Sequence, residues 1–152
     1  MKALLQRVAW AKVKVQGKVV GEIQSGLLVF VGCQKGDDLE LARSMAEKIG
    51  SYRVFPDEEG KTNWDLKQAG GSLLLVPQFT LAADTLKGRR PSFDPTMAPK
   101  EARILVKNMG EVLRGAGIQV EEGVFGAEME VELLNKGPAT YLLEKKRAQG
   151  GT

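Results

Sequence analysis

From Lys2 to Val15 apolar and polar side chains alternate, the two-residue period of a strand with one buried face. Gln16-Gly17 then supplies a two-residue turn and the alternation resumes over 18–23, which predicts a β-hairpin at the start of the chain. After Ser25-Gly26 the pattern becomes a continuous apolar run over 27–32, as expected of a strand covered on both faces. Beyond the exit loop Lys35-Gly36-Asp37 the period lengthens. Leu41, Ala42, Met45, Ala46 and Ile49 form one helical stripe, and Asp37 with Glu40 reads as a capping box, so a helix is expected over about 38–51.

A short strand at 52–55 and a turn at 57–60 follow, and the Gly70-Gly71 pair introduces a second apolar run, 72–76. That run ends in Pro77-Gln78-Phe79-Thr80-Leu81, where polar side chains arrive at the end of a buried strand. The irregular stretch 82–98 is longer than ordinary connections, which favours a functional loop or one that packs on a partner. Pro99 suits the first turn of a second helix, with Ala102, Leu105, Val106, Met109, Val112 and Leu113 on one face and Gly115 at its end. Strands are expected again at 119–122, 129–135 and 140–144, the last two separated by Lys136-Gly137-Pro138-Ala139. The fold class is α/β. We expect a single domain over 1–145 with mixed and antiparallel strands curled into a half-barrel, two helices on one side and a three-layer α/β/β arrangement. A flexible polar tail is expected over 146–152, with Gly150-Gly151-Thr152 disordered.

Composition narrows the chemistry. A chain of 152 residues with 43% hydrophobic content can bury a core without metal or disulfide support. The lone Cys33 beside the apolar run reads as a buried thiol in a reducing compartment. No signal peptide and no bilayer-spanning stretch is evident, so a cytoplasmic protein without a membrane partner is expected. The chain contains no histidine, which excludes Ser-His-Asp and Cys-His catalysis and every imidazole-based metal site. No dinucleotide fingerprint or phosphate loop is present, and no cofactor is expected. The net charge of +3 permits a nucleic-acid partner without requiring one. Two basic clusters, Lys87, Arg89, Arg90 and Lys145, Lys146, Arg147, suit either phosphate contact or plain solvation, and the first suits a subunit interface as well.

Gln78 offers an amide, Thr80 a hydroxyl, and an irregular strand end exposes backbone N–H groups, together enough to hold a carbonyl or an oxyanion. The same residues serve equally as a strand cap around a buried Phe79. Gly137-Pro138 reads either as a turn or as a place where backbone approaches a ligand closely.

Read together and in order, Leu5-Gln6-Arg7-Val8, Val20-Gly21-Glu22-Ile23, Gln78-Phe79-Thr80-Leu81, Lys87-Gly88-Arg89-Arg90-Pro91-Ser92-Phe93, Phe125-Gly126-Ala127 and Gly137-Pro138-Ala139-Thr140 resemble the D-aminoacyl-tRNA deacylases over residues 1–144. The resemblance implies a homodimeric hydrolase that cleaves the ester joining a D-amino acid, or glycine mischarged on tRNA(Ala), to the 3′ terminal adenosine of tRNA. It implies a cis Gly137-Pro138 bond reaching into the partner subunit's pocket to reject L-amino acids, with Gln78, Phe79 and Thr80 as catalytic residues. It also implies that Arg7 braces the Gly-Pro motif and that Phe125 and Met129 lie near the terminal adenosine. Catalysis would rely on the ribose 2′-hydroxyl of the tRNA, in keeping with the missing histidine. Two positions depart from the family pattern: Pro77 replaces a usual Ser, which bears on stereochemical preference, and Lys136 stands where an acidic or neutral residue is common. Two other readings stay open, a non-catalytic RNA-binding or translation-associated module and a domain built mainly to dimerise.

Overall fold

The computed structural model describes residues 1–147. In chain order its elements are β1 (Lys2–Val15), β2 (Lys18–Ile23), β3 (Gly26–Gly32), α1 (Leu39–Ser51), β4 (Phe55–Pro56), β5 (Thr62–Trp64), β6 (Ser72–Pro77), a 3-10 turn (Phe79–Ala82), α2 (Pro99–Gly115), β7 (Val120–Glu122) and β8 (Glu130–Glu144). β1 is the spine. One edge carries β8 antiparallel, from Lys2↔Glu144 to Lys14↔Glu130. The other edge is shared: the N-terminal half pairs with β3 and the C-terminal half with β2. Parallel pairing then adds β6 to β3 and β7 to β6.

Gln16 and Gly17 both hold positive φ (50° and 78°), the conformation that lets a two-residue turn follow the twist of β1 and β2. The sheet curls until β2 meets β6 and β7, because Gly21 has no side chain. A Cβ there would lie 2.8 Å from the Glu122 carbonyl oxygen and 3.1 Å from Leu74 Cδ1. Alternation sorts two cores. Leu27, Val29, Val31, Leu73 and Leu75 face Met45 and Ile49 of α1 and Met109 and Leu113 of α2, while Leu28, Leu74 and Val76 fill the barrel interior with Val8, Ala11, Val13 and Ile23. The result is a mixed α/β domain: a nearly closed, barrel-like sheet with two helices on one side.

Several local expectations change. The N-cap of α1 is Asp38, whose Oδ1 accepts the Leu41 N–H at 2.9 Å. Asp37 is instead held by the Met1 ammonium at 3.1 Å and by the Gln34 N–H at 2.7 Å. The 52–55 strand shrinks to Phe55–Pro56, paired with Thr62–Trp64; the Val54 carbonyl before it is occupied by the Arg7 guanidinium at 2.7 Å. The strands expected at 129–135 and 140–144 are one strand, β8, with an excursion inside it. Of the expected tail, Lys146 and Arg147 are exposed, and Arg147 approaches Asp38 at 3.5 Å. The disorder expected at Gly150-Gly151-Thr152 lies outside the described residues. No helix among the described residues is long and apolar enough to cross a membrane.

Candidate active site

The parallel pairing between β3 and β6 ends at Val31↔Pro77. Gln78 makes one further bond, its N–H to the Val31 carbonyl at 2.8 Å, and the chain then tightens into the 3-10 turn. Gly32 makes room for that turn. A Cβ on Gly32 would stand 3.0 Å from both Ala82 N and the Gln78 carbonyl oxygen. The Phe79 and Thr80 N–H groups open the turn, and neither meets a backbone acceptor among the described residues. The Gln78 side-chain amide donates to Thr80 Oγ1 at 2.6 Å, which fixes the orientation of the amide. Phe79 is 59% exposed and lies against Phe93 with ring centroids 5.4 Å apart.

The long loop returns to form the facing wall. Lys35 N–H donates to the Pro95 carbonyl at 2.9 Å and Met97 N–H to the Cys33 carbonyl at 3.1 Å, which ties the loop to the exit of β3. A cleft of about 300 Å³ results, lined by Pro77, Gln78, Phe79, Thr96, Met97 and Phe125 among others. Its walls are mostly apolar with a few placed polar groups, the usual make-up of a site that binds one end of a small ligand.

The second motif stands apart from this cleft. In the β1–β8 ladder Val8 pairs with Asn135 and Gln6 with Thr140, so residues 136–139 are all set against Arg7 alone. They arch out of the sheet. Lys136, Gly137 and Pro138 are exposed, Ala139 is buried at the base, and the Gly137-Pro138 bond is cis. Asn135 clasps the base: its Nδ2 donates to the Arg7 carbonyl at 3.0 Å and to the Ala139 carbonyl at 3.3 Å, and its Oδ1 accepts from the Thr140 hydroxyl at 3.4 Å. Gln6 adds a bond to Thr140 Oγ1 at 3.3 Å.

Comparison with known proteins settles the family. The model of the D-Tyr-tRNA(Tyr) deacylase family matches residues 4–144. The chain belongs to that family. A D-aminoacyl-tRNA deacylase of Alcanivorax borkumensis is 53% identical over 144 residues, 95% of this chain and 99% of the relative. One from Acinetobacter baylyi is 50% identical over 95% of this chain and 99% of its own length. Among solved structures, a c-Myc DNA unwinding element binding protein superposes with a TM-score of 0.91 at 35% identity, covering 97% of this chain and all of its own. A probable eukaryotic D-amino acid tRNA deacylase gives 0.79 at 18% identity, covering 93% and 97%, a likeness of fold. As a deacylase of this family the chain is a hydrolase acting on an ester bond.

Within one deacylase chain Gln78, Phe79 and Phe125 share the cleft, and Thr80 joins them through its bond to Gln78. Gly137 and Pro138 do not line it. Met129 sits behind Gly123, where an added Cβ would come within 2.9 Å of its Sδ, and packs toward the barrel interior. Arg7 touches the arch through its main-chain carbonyl, while its guanidinium reaches Val54. Sequence reasoning includes Asn135 in the Gly-Pro segment without giving it a role, and passes over Gly32. Asn135 lies inside the motif as an ordinary polar residue, and its clasp depends on a partner 128 positions away.

Cys33 lies at the back of the cleft, 5% exposed. Burial pushes its thiol up to about 12, with the Asp37 carboxylate adding to the effect. The folded chain therefore favours the protonated thiol. That preference is fully present below the unfolded thiol's ordinary range and is lost as pH rises from about 9 toward 12. Between those limits the unfolding free energy of the wild type is expected to fall faster than that of Cys33→Ala, by up to about 1.4 kcal/mol per pH unit. Urea unfolding of both proteins across this range checks it; parallel curves would place the thiol in water.

Proposed function

We propose that the chain is a homodimeric chiral proofreading enzyme that hydrolyses D-aminoacyl-tRNA, and glycyl-tRNA mischarged on tRNA(Ala), and spares L-aminoacyl-tRNA. The observation that carries this reading is the division of the motifs. A cleft with placed polar groups lacks the Gly-Pro arch, and the arch, braced from below by Asn135, projects from its own chain with its tip exposed. A two-fold axis pairs one protomer's arch with its partner's cleft and so completes two equal sites.

In that site the arch presents main-chain carbonyls to the α-amino group and leaves no volume on the side where an L side chain projects. Each tenfold of discrimination needs about 1.4 kcal/mol, well within reach of a steric clash against a braced backbone. The Phe79 and Thr80 N–H groups face the ester carbonyl and stabilise the oxyanion, a contribution of about 3 kcal/mol per well-placed donor. The ribose 2′-hydroxyl of the substrate assists the attack, and the protein's part is to hold the ester in line. Phe125 receives the terminal adenosine; Met129 supports the wall behind it.

Among the described residues Thr80 has no ionisable hydrogen-bond partner, and its hydroxyl orients Gln78. Thr80→Ala is accordingly expected to keep measurable turnover, with a loss of less than about a hundredfold. Abolished turnover with folding and tRNA binding intact would give the hydroxyl a direct chemical role.

Subunit mixing tests the divided site. Gly137→Ala spoils the arch and Thr96→Trp fills the cleft, so each homodimer is expected to be nearly inactive. Refolding the two together should restore about a quarter of wild-type activity, through the one intact site of each heterodimer. No recovery in a mixture shown to contain heterodimer would place arch and cleft action within one chain.

A further inference from the structure

The surface of α2 is basic where it borders the cleft. Pro99, Ala102 and Val106 line the cleft, and the helical period sets Lys100, Arg103 and Lys107 on the adjoining strip of surface. All three are exposed, and among the described residues none has a carboxylate within ion-pair distance. Arg103 places its guanidinium carbon 5.3 Å from the centroid of the Phe125 ring, so the strip meets the cleft at one aromatic of its wall. At the cleft end of the helix the acidic side chain lies off this strip. Glu101 lies on the other flank, in the hollow shared with Asp37, Asp38 and Glu40, and Glu111 follows Lys107 one turn further from Pro99.

We propose that Lys100, Arg103 and Lys107 form the track for the phosphates of the RNA strand whose 3′ end enters the cleft. The proposal rests on the deacylase reading and deepens it by naming the surface that holds the substrate's backbone. Seven residues of helix extend about 10 Å, enough to meet more than one phosphate of a strand. Unpaired cations at helical spacing suit a regular polyanion and give affinity without sequence preference. The other basic cluster differs: Lys87, Arg89 and Arg90 follow Leu86, which is 90% exposed, an apolar tip that phosphates do not call for.

The test is the binding of uncharged tRNA over a salt series by the wild type, by a Lys100→Gln/Arg103→Gln/Lys107→Gln variant, and by a Lys18→Gln/Lys48→Gln/Lys61→Gln variant that loses the same charge elsewhere. Three lost phosphate contacts should lower the log–log salt slope by about 2 to 3, so that between 50 and 200 mM salt the first variant loses about 20- to 40-fold less affinity than the wild type. The second variant should keep the wild-type slope. In deacylation of charged tRNA the first variant should show a raised KM with kcat little changed. Equal slopes for all three proteins, with the wild type still deacylating, would overturn the track and leave the deacylase reading standing. A slope that depends on the α2 cations in a wild type that releases no amino acid would keep the track and remove the deacylase reading.

Discussion

Replacing Gly137 with Ala is expected to slow deacylation of D-tyrosyl-tRNA by about a hundredfold, the upper end of what a methyl group costs when forced into a filled space. The fold should be indifferent to the change. Among the described residues beyond its chain neighbours, the added Cβ would meet only Asn135 Oδ1 at 3.4 Å and the Ala139 N at 3.8 Å, both ordinary contacts. Gly137 is exposed and is not among the glycines with positive φ, so alanine fits its backbone. Any loss of turnover must then arise from what faces the arch, which in the proposed divided site is the substrate and the partner's cleft. Single-turnover kinetics beside urea unfolding separate the two quantities, with stability expected within about 0.5 kcal/mol of the wild type. Unchanged turnover would remove the arch from the pocket.

Gly26→Ala should do the opposite, destabilising the chain by at least about 3 kcal/mol whatever happens at the site. Gly26 opens β3 between two strands, paired to Val8 of β1 and to Ser72 of β6. A Cβ there would stand 1.8 Å from the Ser72 carbonyl oxygen and 2.8 Å from the Ser72 N. Those are backbone atoms of the parallel ladder, and no side-chain rotation can clear them. The pair must separate, and with it the strand that leads into Gln78. Urea unfolding measures the effect; a loss below about 1 kcal/mol would mean that β3 and β6 are less closely bound than the geometry requires.

How much of this was legible in the amino-acid order depends on the range of each interaction. The β1–β2 hairpin follows from alternation and from Gln16-Gly17, and α2 from Pro99 and its apolar stripe, because those signals lie within a few residues of their effects. Asp37 read as a cap because Glu40 follows it, yet the Met1 ammonium, 36 positions away, holds it and leaves the cap to Asp38. β8 read as two strands because Gly137-Pro138 breaks the local pattern. It is one strand because β1 supplies partners on both sides of the arch. The two motifs announce themselves by odd local chemistry, a polar group at the end of a buried run and a Gly-Pro inside a strand. What neither announces is the clasp of Asn135 on Arg7 or the room that Gly32 makes for the 3-10 turn, since both depend on a partner far along the chain.

The most direct test of the account is the release of amino acid from matched D-tyrosyl-tRNA and L-tyrosyl-tRNA by the purified protein with a chelator present. Fast loss of the D-ester with the L-ester intact is the predicted result, and equal loss of both, or loss of neither, would contradict it.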